Sequence, residues 1–221
     1  MEAEEAESDA IARRIEILYQ EIHPSDNLRT ISGVGELTAP VFLAVVGDPT
    51  RFRSQSAFAN YNGVVLDSRQ SVDTEAKGMR MPKAGPSIMR WALYQASQIG
   101  RCYDPQLASV YHREMVHQGK NHKQAAGAVM SHLGARILAV LQENRPCELR
   151  DIQGNPITWE KSRKLVITNY LVPEEIKRAR RRRRTVGNSN KSKRNQREMV
   201  ANSTHEAAKA PQPIMTTASP G

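Results

Sequence analysis

Apolar residues at the start of the chain recur at the spacing of an α-helix. Ile11, Ile15, Leu18 and Ile22 are separated by four, three and four residues, so they share one narrow face of a helix. Residues 1–22 are therefore predicted to form an amphipathic, coiled-coil-like helix. We expect this face either to pair with a second copy of the chain, which would make a homo-oligomer, or to dock on the domain that follows.

Residues 23–150 carry the pattern of a domain built from short helices. Asp26, Ser54 and Asp104 each stand where a helix should begin, and their side chains are of the type that caps a first turn. Pro40 is expected to bend the second helix or to move its start. The predicted helices are a short piece after Asp26, then 36–46, 54–61, 86–102, 104–117 and 122–143.

Two of these helices carry an apolar stripe that predicts their buried face. In the helix 86–102 the stripe consists of Ile88, Ala92, Ala96 and Ile99. In the helix 122–143 it consists of Ala126, Val129, Met130, Leu133, Ile137, Val140 and Leu141. Met89, Trp91 and Met130 are expected in the core.

Three further stretches are less regular. Residues 62–85 form a long polar connection, and a loop of this length inside a compact domain is usually functional or disordered. Residues 151–176 are predicted to be an extension in which 165–167 is a short strand or a helical turn and a helix starts near 173. Residues 177–221 are predicted to be a basic tail, helical at first and then largely disordered.

Composition favours an all-α fold. Aromatic residues make up 5% of the chain, which is little for the filling of a large β-sandwich or barrel. We find no apolar run that should span a bilayer, and the acidic start is unlike a signal peptide, so we expect a cytoplasmic protein with no membrane partner. The two cysteines, Cys102 and Cys147, are too few for a disulfide framework or a Cys-rich zinc site.

Positive charge is concentrated near the end of the chain. Residues 177–197 hold eleven of the 32 Lys and Arg and no acid. The rest of the chain therefore has 21 basic and 23 acidic residues, and the whole positive excess lies in this tract. Such a tract favours a polyanion, although it is more often a non-specific tail than a reader of sequence. The residues expected to contact a phosphate backbone here are Arg180, Arg181, Arg182, Arg183 and Arg184.

A glycine turn stands between the first two helices of the domain. In Ile31-Ser32-Gly33-Val34-Gly35, the glycines carry no side chain that would obstruct a phosphate, so backbone N–H groups of the turn can face it at a helix N-terminus. This is the arrangement of a helix-hairpin-helix module, which holds the DNA backbone without reading bases. Gly33, Val34, Gly35 and Thr38 are therefore predicted DNA contacts, and a plain glycine turn is the alternative.

The polar connection carries a serine among basic residues. A serine hydroxyl needs a base or a strongly positive setting to act as a nucleophile, and clustered cations can stabilise charge on a phosphate. Ser71 is the candidate nucleophile, and a solvated loop has the same composition. The candidate phosphate contacts around it are Arg69, Lys77, Arg80, Lys83 and, in the next helix, Arg90.

The order of these features resembles the transposase domain of the insertion sequence 110/116/902 family along most of residues 27–150. The opening of that domain is similar to 28–35, its next segment to 52–54 and 58–63, and its Gln-Ser-Gly element to Arg69-Gln70-Ser71. Its following helix start is similar to Lys83-Ala84-Gly85-Pro86-Ser87 with Arg90 and Leu93, and its closing helices are similar to 103–105 and 119–141.

The resemblance implies DNA strand exchange in transposition, with Ser71 attacking a DNA phosphodiester. It also implies a helical domain preceded by a coiled coil, a guide RNA and assembly into oligomers. The family places its acidic metal ligands in an N-terminal RuvC-like domain, so we expect a truncated or split transposase that holds no metal or other cofactor itself. The scattered histidines, His112, His117, His122 and His132, are interpreted as surface or packing residues. The acids of the polar connection 62–85, called the serine segment below, are interpreted as charge-balancing residues.

A second hypothesis is a non-catalytic helix-hairpin-helix module that binds nucleic acid. Val72 stands where the family has a glycine after the serine, and Pro82 stands where a small hydroxyl residue is usual. Both differences alter the segment that would carry the nucleophile. The two hypotheses separate at Ser71, because only the first requires its hydroxyl.

Overall fold

The computed structural model describes residues 2–64 and 85–180, and these residues are mostly helical. The all-α prediction is confirmed there, since the described part contains a single isolated β-bridge, between Arg150 and Pro156, and no strand. The α-helices are α1 (Glu2–Ile22), α2 (Thr38–Val46), α3 (Gln55–Tyr61), α4 (Ser87–Tyr103), α5 (Pro105–His112), α6 (His122–Glu143) and α7 (Trp159–Asn169). Short 3₁₀ turns cover Asn27–Thr30 and Pro49–Arg51, and residues 174–180 are helical.

Helix α6 is the centre of the core, and α3, α4 and α5 pack on it. It begins at Asn121, which shares a reciprocal capping box with Gln124, and it ends at Asn144 in a left-handed conformation. Its predicted stripe is buried, apart from Leu141, which is half-buried. By length and composition α6 is apolar enough to cross a bilayer, but most of its apolar stretch is covered by the rest of the protein.

The buried face of α4 differs from the predicted one. Ala92, Ala96 and Met89 are buried as expected, but Ile88 and Ile99 are about half exposed, and Leu93, which was not predicted, is buried as well. Trp91, expected in the core, is 47% exposed. The reason is close packing: α4 meets its neighbours through a face of small residues that ends at Gly100, and the large apolar residues on either side of that face point away.

The first turns of the domain follow the prediction only in part. Asp26 does not cap the turn after it; its backbone is left-handed and its carboxylate accepts a hydrogen bond from the Tyr19 hydroxyl at 2.8 Å. Pro40 moves the start of α2 to Thr38, because a proline fits the first helical turn, where no backbone N–H is needed. Ser54 caps α3 as predicted, and its hydroxyl accepts from the N–H of Ala57 at 3.1 Å.

Helix α1 docks by one side chain and leaves its predicted seam exposed. Tyr19 is 2% exposed and anchors the helix beside Asp26. The guanidinium of Arg29 ties the same surface to Glu16 through an ion pair. The seam residues, in contrast, are 40–70% exposed: Ile11, Ile15, Leu18 and Ile22.

Helices α5 and α7 follow the prediction in part. Asp104 caps α5 as predicted and also forms a nearly buried ion pair with Arg136 of α6. The predicted helix 104–117 is confirmed as helical up to His117, but its last five residues, Arg113–His117, form a π-helical turn. Residues 165–167, left open between strand and helix, lie within α7.

Candidate nucleic-acid interface

The first glycine of the predicted DNA-binding turn packs against the protein. Gly33 has φ +94°, and a Cβ built there would lie 2.2 Å from the carbonyl oxygen of Ala96 and 2.6 Å from the nitrogen of Gly100. The contact is reciprocal, since a Cβ on Gly100 would lie 2.6 Å from the carbonyl oxygen of Ser32. The turn and α4 therefore touch backbone to backbone, and only glycine allows this approach.

The second glycine lies on the open side of the turn. No atom lies within 4 Å of a Cβ built on Gly35. Its N–H donates to the hydroxyl oxygen of Thr38 at 3.0 Å, and the N–H of Val34 donates to the carbonyl of Ile31 at 3.0 Å. The two N–H groups are therefore engaged within the turn. Space for a phosphate exists at Gly35, but its N–H and the largely buried Thr38 hydroxyl would have to exchange their present bond for it.

The two ends of the predicted serine segment meet at the N-terminus of α4. A Cβ on Gly85 would lie 2.0 Å from the carbonyl oxygen of Tyr61, so the chain returns to the point that it left at Val64, which is buried. Arg90 donates from its guanidinium to the carbonyl of Gly85. Arg90 thus fixes the end of this segment, and its side chain lies where the sequence predicted a cation.

Most of the remaining predicted site residues lie outside the described part of the chain. These are Ser71, Arg69, Lys77, Arg80 and Lys83 of the serine segment, and Arg181, Arg182, Arg183 and Arg184 of the basic tract. Arg180 is described and closes the helical stretch 174–180. The predicted roles of these residues stay predictions.

Helix α4 positions both described parts of the candidate interface. The glycine turn rests on Ala96 and Gly100, while Gly85 and Arg90 lie at the N-terminal end of the helix. The ten residues from Arg90 to Gly100 correspond to about 15 Å along the helix axis. That length is less than half of a helical turn of B-DNA, about 34–36 Å, so one duplex is long enough to contact both.

Two side chains at the base of the serine segment were not found by sequence reasoning. Arg51 lies over the ring of Tyr61, with its guanidinium carbon 4.8 Å from the ring centre, beside the point where Gly85 meets the chain. Asn62 is fully buried, and its side-chain nitrogen and oxygen have no hydrogen-bond partner among the described residues. The family resemblance covers Asn62 within 58–63 but gives it no role, and no periodicity or motif marks Arg51.

The histidines pack against tyrosines. His122 lies between two tyrosine hydroxyls, with Nδ1 2.8 Å from Tyr111 and Nε2 3.2 Å from Tyr94. Burial, assisted by the nearby positive charge of Arg101, lowers the pKa of His122, so the ring is neutral at neutral pH. Within residues 2–64 and 85–180, no three His, Cys, Asp or Glu side chains come together as metal ligands would.

Comparison with known proteins finds a similarity to one family. Residues 25–112 match the model of the Transposase IS116/IS110/IS902 family. This part of the chain is thus similar to a transposase domain of that family. The domain so defined runs from the turn after α1 through the glycine turn, the serine segment and α4 to the end of α5.

Curated relatives of this chain include a gene-inverting protein and a protein of an insertion element. A pilin gene-inverting protein of Moraxella lacunata is 31% identical over 123 residues, which cover 56% of this chain and 38% of that protein. An insertion element IS110 protein of Streptomyces coelicolor is 33% identical over 131 residues, which cover 59% of this chain and 32% of that protein. The chain thus spans less than half the length of the curated relatives it matches.

Proposed function

We propose that this chain binds DNA and takes part in transposition by site-specific strand exchange, with Ser71 as the nucleophile. The observation that carries the proposal is the family match over residues 25–112, which includes the serine segment and both described parts of the candidate interface. One relative is named for inverting a gene and another for an insertion element, and both names are in keeping with a role in DNA rearrangement.

The DNA grip is assigned to the open side of the glycine turn and to the base of the serine segment. Gly35 offers room for a phosphate to approach the backbone, and Thr38 supplies a hydroxyl next to it. Arg51 and Arg90 bring positive charge to the other end of α4. These contacts position a duplex without reading its bases.

The chemical step is a transesterification at phosphorus. The Ser71 hydroxyl loses its proton as its Oγ bonds to the phosphorus, one bond to a deoxyribose oxygen breaks, and that oxygen takes up a proton. The phosphodiester is kept as a serine ester, so the reverse attack by a different strand end can complete the exchange. Arg69, Lys77, Arg80 and Lys83 are proposed to stabilise the negative charge on the phosphate.

The proposal includes the partners that the family resemblance implies. The exposed seam of α1 is proposed to pair with a second copy of the chain. Apolar residues at heptad spacing are buried when the same helix of a second copy packs against them. A guide RNA and a RuvC-like domain with its divalent metal complete the expected assembly, and this assembly is expected to act in the cytoplasm.

The test is covalent capture of DNA. The full chain, with a RuvC-like protein and the transcript of the flanking DNA supplied, is incubated with a labelled duplex of that flanking DNA and run on a denaturing gel. Wild type is expected to leave a protein–DNA adduct that survives denaturation. Ser71→Ala is expected to lose the adduct and keep the native mobility shift, whereas Ser68→Ala, three residues earlier, should retain both.

Two outcomes would overturn parts of the proposal. An adduct that persists in Ser71→Ala would assign the attack to another residue. A mobility shift with no adduct in wild type would leave the binding function and remove the catalytic one, which is the second hypothesis of a non-catalytic nucleic-acid module.

A further inference from the structure

An exposed pair of stacked aromatic rings lies outside the glycine turn and the serine segment. The rings of Tyr103, at the end of α4, and Trp159, at the start of α7, are 4.7 Å apart with an angle of 18° between their planes. Trp159 is 51% exposed. Since Tyr103 covers one face of the indole, the exposed half of this side chain offers ring surface to a further planar group.

The pair is held in place from both sides. The hydroxyl of Ser162, which is fully buried, donates to the backbone carbonyl of Tyr103 and so fixes α7 against the end of α4. Thr158 caps α7, and its hydroxyl accepts from the N–H of Lys161 at 3.4 Å. A platform on two anchored helices loses little conformational entropy when a ligand stacks on it.

Positive charge surrounds the platform. Arg163, one helical turn after Trp159, has its guanidinium carbon 5.9 Å from the centre of the Tyr103 ring. Tyr103 and Arg163 also line a cavity of about 230 Å³. Besides apolar residues, its lining contains three cations and three tyrosines but no carboxylate: Arg101, Arg163, Lys177, Tyr103, Tyr111 and Tyr170. Lys177 also pairs with Glu174, so Arg101 and Arg163 contribute most of the positive charge at the cavity.

We propose that this surface binds unpaired nucleotides of a nucleic-acid strand. A base would stack on the open face of Trp159, and the adjoining phosphates would lie against Arg163 and Arg101. Aromatic rings beside cations are the combination by which proteins hold single strands without sequence preference, because every base has a flat face and every linkage a charge. A protein partner would not account for the cationic lining, and a duplex would not account for the stacked rings.

The proposal is separate from the strand-exchange function. Trp159 and Arg163 lie beyond residues 25–112, the part that matches the transposase family. The surface does not depend on Ser71 or the glycine turn, and single strands of DNA and of RNA share the chemistry that it recognises. Loss of adduct formation in Ser71→Ala would leave this site unchanged, and loss of this site should leave the duplex contacts unchanged.

Fluorescence of Trp159 tests the site directly. The chain has two tryptophans, Trp91 and Trp159, so the tryptophan fluorescence of the full chain with Trp91→Phe comes from Trp159 alone. At 0.2 M salt, where the basic tract binds weakly, we expect saturable quenching by a dT12 or an rU12 oligonucleotide and little quenching by a 12-base-pair duplex. The two arms show whether the strand held is DNA, RNA or either, and any of these results supports the proposal.

Substitutions separate stacking from folding and from charge. Trp159→Leu keeps an apolar contact with Tyr103 but removes the ring, and we expect single-strand affinity, measured by anisotropy of labelled dT12, to fall about tenfold. Trp159→Phe should restore most of it, and Trp91→Leu is the matched control that should change nothing. Arg163→Ala should reduce the slope of log affinity against log salt by about 0.7, the value for one phosphate of a single strand.

Three results would reject the single-strand platform. If Trp159→Leu binds dT12 and rU12 as tightly as wild type and melts like wild type, the rings are not a platform. If duplex affinity falls by the same factor as single-strand affinity, the residue acts on a general electrostatic surface. Quenching of Trp159 by the duplex as strong as by either single strand would also reject the proposal.

Discussion

The two glycines of one turn, two residues apart, have opposite surroundings. Gly33 touches the backbone of α4 and has a left-handed φ, whereas a Cβ on Gly35 would meet nothing within 4 Å. A glycine motif of this kind reads in sequence as a single functional unit. In this protein its inner half holds the turn to the fold, and its outer half is the part that a ligand can reach.

This difference teaches that a ligand-binding motif and a packing motif can use the same residues. If Gly33 served only to admit a phosphate, its replacement would spare the fold. The approach of Gly33 to Gly100 makes the opposite prediction, and four substitutions around the turn test which role each residue has.

Gly33→Ala is expected to have the largest effect on stability. Its methyl group would overlap the carbonyl of Ala96 in a conformation already strained for alanine, so the free energy of unfolding should fall by about 3 kcal/mol or more. Urea denaturation measures it. Gly154→Ala is the matched control, because Gly154 has φ +89° with open space, so it shows the cost of φ alone. Equal losses in the two variants would mean that the contact with α4 does not matter.

Gly100→Ala should also destabilise, against the usual trend for a helix. An alanine in the middle of a helix normally gains about 0.5–1 kcal/mol over glycine. Here its Cβ would lie 2.6 Å from the carbonyl oxygen of Ser32, and we expect a net loss of about 2 kcal/mol. A thermal melt that shows Gly100→Ala more stable than wild type would contradict the close approach of the turn to α4.

Thr38→Val should have a moderate effect on stability. The valine keeps the shape of the side chain but removes the hydroxyl that accepts from the N–H of Gly35, which should cost about 1 kcal/mol in the free energy of unfolding. Denaturation and duplex binding should be measured together. Thr50→Val is the control outside the turn, because the Thr50 hydroxyl donates to the exposed Asp48. A drop in duplex affinity under conditions where Thr38→Val is still fully folded would support a phosphate contact by Thr38.

Gly35→Ala should have the smallest effect on stability, within about 0.5 kcal/mol, because its methyl group has open space. Its expected effect is on binding: the methyl would occupy the place proposed for a phosphate, and duplex affinity should fall. Gel mobility shifts with a labelled duplex check this. An affinity equal to that of wild type would remove Gly35 from the proposed interface and confine the motif to its packing role.

The local pattern of the chain was enough to predict most helices. The bounds of α6 agree with the prediction at both ends because its apolar stripe is unbroken and Asn144 stops it. The cap at Ser54 and the proline at Pro40 also act as their chemistry predicts. These features depend on neighbours within a few residues, which is the range that a sequence pattern describes.

The features that decide the site depend on contacts between distant residues. Glycines 33 and 100 meet across 67 positions of sequence, and Gly85 meets Tyr61 across 24. The face of α4 was predicted only in part for the same reason. Ile88 and Ile99 fit the helical period of Ala92 and Ala96, but the packing of the turn and α6 leaves them about half exposed and buries Leu93. The stacking of Tyr103 on Trp159 has no sequence pattern at all.

The closure between Tyr61 and Gly85 has a consequence for how this protein can vary. Because the chain re-enters the fold where it left, the stretch between these points can change in length or content with little effect on the helices around it, since lengthening a closed loop costs only slowly rising entropy. The domain is therefore suited to cassette exchange, in which one stretch is replaced while the scaffold that carries it is inherited unchanged.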